Sequence, residues 1–205
     1  MKPILFNTPM TRAILDGRKT ETRRLLKTGG HEVLRGGTFP GSSDGPKYGA
    51  ELDDHSVAVA PYQPSDILYV REAYDELPVK PDCSWSGGKT YLYYRADGDL
   101  RPEIWRGNWK PSIHMPKGAA RLFLHVTDVR CERLQKMTVR DLIAEGMADH
   151  YDVPYGAGKR FDEFRSLWNS TIKSADQDRY GWAANPWVWV IEFERYEKPD
   201  DCCSH

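Results

Sequence analysis

The sequence predicts an α+β protein in which a few short helices flank a mostly antiparallel β-barrel. Strand-like segments are scattered along the chain without the strand-helix-strand period of parallel sheets, and no internal repeat is present. The closing segment 187–194 is apolar on both faces before it alternates, as expected for a strand that enters a closed sheet. The 205 residues suit one domain over 1–196 with a polar tail over 197–205.

The first elements are a short helix and a strand joined by a tight turn. Thr8 is a suitable N-cap, and Pro9 fits the first helical position because its missing N–H costs nothing there. Gly17 predicts a left-handed stop, and β-compatible residues over 20–26 predict a strand directly after it.

Alternating or β-branched residues predict the remaining strands, and cap residues predict the remaining helices. Thr138 is read as the N-cap of one helix, and apolar spacing predicts another over 160–169. The predicted strands cover 66–73, 90–95, 120–131 and 187–194. Between these elements we expect two surface insertions, at about 28–65 and 75–118, of which the first shows no sustained period.

Composition excludes several classes of protein. The net charge of -1 gives no global attraction to nucleic acid or to anionic membranes, so such binding has to come from local clusters. No apolar run is long enough for a membrane span or a signal peptide, and we expect a cytoplasmic protein. The four cysteines lack paired metal-ligand spacing, so we expect reduced thiols: Cys83, Cys131, Cys202 and Cys203.

Two local clusters of basic residues are candidates for nucleic-acid binding. One comprises Arg18, Lys19, Arg23, Arg24 and Lys27 against the single acid Glu21. The other places tryptophans beside cations, an arrangement in which guanidinium groups bind phosphate and indoles stack on bases. Its central residues are Trp105, Arg106, Trp109 and Lys110. The alternative is a solvated charged surface with both indoles packed into the core.

The order of these motifs resembles the ASCH-domain family. The resemblance covers most of the chain outside the two insertions. It is carried by the Gly-Arg-Lys-Thr-x-Thr-x-Arg stretch ending at Arg24, the strand 66–72, the strand 126–134, the run 144–147 and the closing strand 189–194. The ending Asn185-Pro186-Trp187 looks like the longer members found in phages and prophages. The resemblance implies a PUA-like barrel related to RNA-binding modules.

Small bacterial members of that family look like amidohydrolases that remove the acetyl group of N(4)-acetylcytidine. Lys19, Thr22 and Glu145 match the catalytic positions of these members, and Arg24 matches a further arginine. Other relatives are associated with ribonuclease activity or with plain RNA binding, and fold alone does not choose among these. The resemblance therefore implies a nucleoside, single-stranded RNA or modified nucleic acid as partner, without a cofactor. For the oligomeric state we favour a monomer.

The chemistry of these positions is coherent. A threonine hydroxyl needs a base within hydrogen-bond reach, and a neutral Lys19 could supply it to Thr22. Burial and nearby cations lower the pKa of a lysine, and Glu145 could shuttle a proton to the leaving amine or pair with Lys19. Lys19 and Thr22 are three residues apart, so they share a face only if Lys19 lies in the bend before the strand. The alternative is that Lys19 and Arg24 are surface cations and Thr22 is only a β-former.

Three further groups of residues could contribute to a site. Arg71 and Glu72 end a predicted strand, where they could reach the mouth of a cleft or form a rim ion pair. Ser112 and His114 could contact substrate, but no nucleophile elbow surrounds Ser112, so a proline-bounded loop is the preferred interpretation. The acidic run 53–55, which ends in a histidine, is of a kind that is usually solvated, and we assign no metal.

Overall fold

A computed structural model describes residues 1–40, 45–80, 82, 84, 85, 87, 90–147 and 157–197. These residues form ten strands and four α-helices, which confirms the predicted α+β class. The strands are β1 Lys2–Leu5, β2 Glu21–Leu25, β3 Val33–Phe39, β4 Lys47–Leu52, β5 Val57–Val59, β6 Ile67–Arg71, β7 Tyr74–Leu77, β8 Tyr91–Tyr94, β9 Phe123–Arg133 and β10 Trp187–Tyr196. The helices are α1 Thr8–Leu15, α2 Val139–Ala144, α3 Ala157–Thr171 and α4 Gln177–Tyr180.

The described residues group into two compact units, each built from segments far apart in the sequence. The first unit comprises residues 1–17, 67–125 and 195–197. In it, β1 lies parallel to β6, and β6 pairs antiparallel with the first residues of β9. β7 and β8 form a separate antiparallel pair. The buried residues of this unit include Ile4, Leu68 and Val70, none of which is exposed to solvent.

The second unit comprises residues 18–66 and 126–194. Here the strand order is β9-β10-β2, and β10 pairs antiparallel with β2. The helices α2 and α3 contribute to a core that also takes side chains from β10. Its buried members are Leu134, Met137, Leu142, Phe164, Trp168, Val188 and Val190.

The predicted closure of the barrel is not found among the described residues. β1 and β2 each have a single neighbouring strand, whereas a closed barrel gives every strand two neighbours. The alternation of a strand predicts which face is buried, but it does not specify the strands on either side. The structure therefore supports antiparallel-rich sheets rather than a barrel.

The first predicted insertion contains regular structure. β3, β4 and β5 form a three-stranded antiparallel sheet between residues 33 and 59. Its three glycines conceal the strand pattern, and two of them, Gly36 and Gly49, lie where packing is closest. A Cβ at Gly49 would lie 2.9 Å from the Ala58 carbonyl oxygen, and one at Gly36 would lie 2.7 Å from Cys131 Sγ. Small residues are therefore required in these strands, although glycine usually indicates a loop.

The second predicted insertion, at about 75–118, contains β7, β8 and four short 3₁₀ turns among its described residues.

At the first helix the N-cap is one residue earlier than predicted, because the Asn7 side chain accepts a hydrogen bond from the Met10 N–H at 2.9 Å. Cys131 is a free thiol, and the other three cysteines lie outside the described residues. Within the described chain, no helix combines the length and apolar character needed to cross a membrane.

Candidate functional site

The candidate site lies in the second unit, where Lys19 meets Glu145. Both side chains are buried, and Lys19 Nζ lies 2.5 Å from Glu145 Oε2. Nζ also donates hydrogen bonds to the backbone oxygens of Glu21 at 2.8 Å and Glu145 at 3.1 Å. An ammonium group has three donors, and these three acceptors can satisfy all of them. The structure therefore brings together two of the three residues predicted to be catalytic.

The end of α2 fixes the position of Glu145. Glu145 is the C-cap residue, and Gly146 follows it with φ +83°. The Gly146 N–H donates to Ile143 O and the Met147 N–H donates to Leu142 O, which is the Schellman pattern of a helix end. Met147 also packs against the core cluster that contains Leu142. The carboxylate is therefore held by a capped helix end rather than by a loop.

The backbone on the other side of the pair is held equally firmly. The Thr20 N–H donates to Ala144 O at 2.8 Å, and the Phe193 N–H donates to Thr20 O at 2.9 Å. Lys19 forms an isolated antiparallel bridge with Glu145. Lys19 thus lies in the segment before β2, as the proposed geometry requires.

Arg23 binds the other oxygen of the same carboxylate. Its backbone N–H donates to Glu145 Oε1 at 2.8 Å, and its guanidinium NH1 lies 3.4 Å from that oxygen. The guanidinium is 1% exposed and also pairs with Glu21 and Glu132. Arg23 was predicted to contact nucleic acid, but its burial places it in an internal ion network instead. Its Nε atom is buried without a hydrogen-bond partner among the described residues.

Burial and neighbouring charges set the protonation of this network. Burial lowers the pKa of Lys19, and the Glu145 carboxylate opposes that shift. Burial raises the pKa of Glu21, against the opposing effect of Arg23. At Arg23, burial acts to lower the pKa, but the surrounding carboxylates outweigh it and leave the pKa raised. Lys19 therefore loses its proton at a smaller cost than an exposed lysine would.

Thr22 and Arg24 lie on the opposite side of β2 from Glu21 and Arg23, because side chains alternate along a strand. Thr22 is buried and pairs with Ile191 across to β10. Burial lowers the pKa of Arg24, and Glu145 is among the charges that oppose the shift. In turn, Arg24 contributes to the lowered pKa of Lys19. Arg24 is therefore electrostatically coupled to both members of the pair.

A polar cavity of about 380 Å³ lies on the Glu21 side of β2, and sequence reasoning missed it. Arg130 on β9 is its central cation, with NH2 2.8 Å from Glu21 Oε2 and further contacts to Glu132 and Asp141. Arg140 also lines the cavity. The alternation of Arg130 and Glu132 on β9 was a usable signal, but the sequence does not show that these side chains face β2.

The remaining substrate-binding candidates belong to the first unit. The Arg71 guanidinium donates to Ile113 O, and its Nε is buried without a partner among the described residues. Glu72 is 1% exposed and is bound through both oxygens by Arg121, at 2.9 and 3.2 Å. Ser112 is half-buried and His114 is exposed. Glu72 thus forms a buried ion pair rather than a rim pair.

The residues predicted to bind nucleic acid are only partly accessible. Arg18 donates to Gly146 O at 3.1 Å and is half-buried. Trp109 is half-buried with the Arg101 guanidinium 3.8 Å from its ring centroid, so it is a core residue more than a stacking surface. Lys110 lies 3.7 Å from Glu76. The two exposed members of the cluster are Trp105 and Arg106.

One group of described side chains has the spacing of metal ligands. His31, Asp53 and Asp54 each offer an atom within 4.8 Å of the others. His31 Nδ1 lies 2.7 Å from Asp53, and its Nε2 lies 3.5 Å from Asp54. All three side chains are exposed, and exposed acidic groups in such an arrangement are common without a bound ion.

No family model, curated protein or solved structure matches this chain.

Proposed function

We propose that this protein recognises a nucleoside or an unpaired nucleotide of RNA and hydrolyses an amide on an N-acylated cytidine-type base. The proposal rests on the resemblance to the ASCH-domain family and on one geometric observation. That observation is the buried contact between Lys19 Nζ and Glu145 Oε2 at 2.5 Å, in the segment directly before β2, the strand that carries Thr22 and Arg24. Acyl transfer needs a nucleophile, a base and a proton donor, and we assign these roles to the Thr22 hydroxyl, to the buried Lys19 with its lowered pKa and to the Glu145 carboxylate.

The proposed reaction begins with transfer of a proton from Lys19 Nζ to Glu145 Oε2. The resulting amine takes the hydroxyl proton of Thr22 while Oγ1 attacks the acyl carbon of the substrate. As the carbon–nitrogen bond breaks, Glu145 donates its proton to the leaving amino nitrogen of the base. Water then hydrolyses the acyl-threonine ester. The balance is one amide and one water consumed, and one carboxylic acid and one amine released.

In this mechanism Arg24 binds and orients the substrate. A guanidinium donates several hydrogen bonds in a fixed plane, which suits the oxygen atoms of an acylated base. Partial burial strengthens such bonds because less water competes for the donors. Every step uses the chain's own residues.

The test is hydrolysis of N(4)-acetylcytidine by the purified protein, followed by chromatography of the released cytidine. Thr22→Val keeps the shape of the side chain but removes the nucleophile, so we expect a loss of turnover of at least about a hundredfold. Thr20→Val is the matched control, because Thr20 is an exposed threonine two residues earlier. Turnover that survives Lys19→Ala, or no turnover of any acylated cytidine by the wild type, would falsify the proposal.

A non-catalytic reader of RNA or modified nucleic acid is a second candidate, and one observation favours it. The three donors of Lys19 are already satisfied by protein acceptors, which is also the arrangement of a purely structural lysine. A reader binds an acetylated oligonucleotide and releases it chemically unchanged. A ribonuclease, the third activity associated with the family, would shorten the RNA. Mass spectrometry of the oligonucleotide after incubation separates all three outcomes.

A further inference from the structure

A second cavity in the same unit has the features of an anion site. Its volume is about 190 Å³, and it lies beside the loop that follows β2. The residues used in the argument are Gly30, Glu32, Arg133, Arg179 and Trp187, all of which line it. Of these residues, the sequence patterns had singled out only Trp187, as the start of the closing strand and part of the family-like ending.

The loop presents free backbone donors. Gly29 and Gly30 have φ values of +69° and +107°, which L side chains rarely adopt. The turn is closed by the His31 N–H, which donates to Thr28 O at 3.2 Å. Within the described chain, the N–H groups of Gly29 and Gly30 donate no hydrogen bond. Successive backbone N–H groups in turns of this kind form concave sites for anions.

Two arginines add positive charge to the cavity. Arg179 is exposed, and its one contact among the described residues is with the ring of its neighbour Tyr180 at 5.3 Å. Arg133 lies 4.6 Å from the ring centroid of Trp187 and pairs with Glu32. Arg179 is therefore a cation without a carboxylate partner in the described chain.

The acidic groups nearby are already engaged. Glu32 accepts from Arg133 and, at 3.2 Å, from Trp187 Nε1, and these bonds lower its pKa. Asp53 and Asp54 face His31 and do not line the cavity. The lining contains two arginines, Arg133 and Arg179, and one carboxylate, Glu32, so its net charge is positive.

The cavity also has aromatic walls, and it lies at the end of β2, the strand that carries Thr22 of the candidate site. Trp187 and Tyr180 provide flat apolar walls, which suit a base or a ribose next to a phosphate. Leu26 lines the cavity and continues the pairing of β2, with its N–H donating to Trp187 O at 3.0 Å. Thr22 lies four residues earlier, or roughly 13 Å along an extended strand, which is more than one nucleoside spans.

We propose that this cavity binds a phosphate group of a single-stranded RNA whose target base occupies the Thr22 side of β2. Arg179 and the Gly30 N–H hold the phosphate oxygens, and Trp187 contacts the adjoining nucleoside. The placement of the target base rests on the proposed function, whereas the phosphate site does not. The substrate class is therefore an oligonucleotide rather than a free nucleoside.

The experiment measures binding of a fluorescein-labelled RNA of roughly eight nucleotides, a length within the range that single-strand binding sites cover. Arg179→Ala removes one charge-assisted contact, so we expect about tenfold weaker binding and a log–log salt slope smaller by about 0.7. Arg165→Ala is the matched control, because Arg165 is an exposed arginine of the same unit that pairs with Asp162 and lies outside the cavity. Arg179→Lys should recover part of the affinity, since it restores the charge without the planar fork.

The outcomes separate this inference from the proposed function. RNA binding that depends on Arg179 supports the phosphate site even if N(4)-acetylcytidine is never hydrolysed. Equal affinities for Arg179→Ala and Arg165→Ala, or no RNA binding by the wild type, overturn it, whatever the hydrolysis assay gives. Displacement of the RNA by inorganic phosphate at equal phosphate concentration shows a site for free phosphate only, and this also overturns the assignment to a nucleic-acid strand.

Discussion

Lys19 is the residue on which the candidate chemistry depends. Its ammonium is buried beside one carboxylate oxygen, while the other oxygen of Glu145 is held by the Arg23 N–H. A charge in such a place is tolerated only when its donors are satisfied, and here they are. The same burial that makes the ion pair costly to form lowers the pKa of Lys19.

We therefore expect the rate of amide hydrolysis to fall as the pH rises through an apparent pKa below the ordinary lysine value of 10.5. The lowered pKa follows from burial, which disfavours the charged amine, and from the nearby cation Arg24. The proton that Lys19 passes to Glu145 is the one that the leaving amine receives, so kcat/KM decreases once that proton is lost to solvent. A pH–rate profile checks this, and a falling limb at 10.5 or above would contradict the role of the Lys19–Glu145 pair.

The energetic coupling of the pair can be measured apart from activity. Lys19→Met and Glu145→Gln each remove the Lys19–Glu145 ion pair and leave the other group buried, with Glu145 keeping its Arg23 contact at 3.4 Å. We expect each to cost roughly 3–5 kcal/mol of unfolding free energy. The double variant should cost clearly less than the sum, because no unpaired charge remains. Urea unfolding of the four proteins gives the coupling, and additive costs would show that the two groups do not depend on each other.

The sequence predicted Lys19 and Glu145 as partners through a family pattern, but it did not predict the role of Arg23. In the sequence, Arg23 is one of several cations in a basic run. The local sequence shows its positive charge but not which carboxylates it contacts. Its partners Glu132 and Glu145 come from elements more than a hundred residues away. Such long-range pairing depends on strand order, which local patterns do not encode.

At the scale of elements, the long alternating or capped segments were predictable. β9 and β10 were found from alternation, and the capping box of Thr138 and Asp141 marks the start of α2 as expected. The sheet of β3, β4 and β5 was not found, because glycines placed for close packing resemble the glycines of loops. The same residue type serves two purposes that only packing can distinguish.

The helix α2 allows a prediction about how an element holds Glu145, the proposed proton donor. Gly146 adopts φ +83°, so Gly146→Ala strains the helix end that positions Glu145. We expect a loss of about 1 kcal/mol in unfolding free energy and reduced turnover of N(4)-acetylcytidine. Gly118→Ala is the matched control, since Gly118 has no positive φ and open space around its Cβ position. Unchanged stability and turnover in Gly146→Ala would show that this cap does not position the carboxylate.

At the scale of the whole molecule, the sequence predicted one domain, whereas the described residues form two compact units with interleaved segments. The chain passes from one unit to the other at four points, each within or close to a helix or strand. β9 contributes residues 123–125 to the first unit and 126–133 to the second, and β10 is divided at residue 194. Hydrophobic patterns identify the buried side chains of both units but cannot assign them to one core or two.

Two strands that belong to both units have a consequence for unfolding. A strand cannot keep its pairing in one half while the other half loses its partners without exposing backbone donors and acceptors, so we expect one cooperative transition. Leu68→Ala in the first unit and Leu142→Ala in the second each remove a side chain with no solvent exposure. Each should cost roughly 2–5 kcal/mol and shift the same transition, as followed by both far-UV circular dichroism and tryptophan fluorescence.

The matched control for these two variants is Leu100→Ala, because Leu100 is 58% exposed and should change the unfolding free energy by less than about 0.5 kcal/mol. The decisive observation is whether the two probes coincide in each variant. If Leu68→Ala shifts one transition and Leu142→Ala shifts another, the units unfold independently, and the shared strands do not couple them. Coincident curves that move together would instead mean that a change in either core alters the stability of the candidate site.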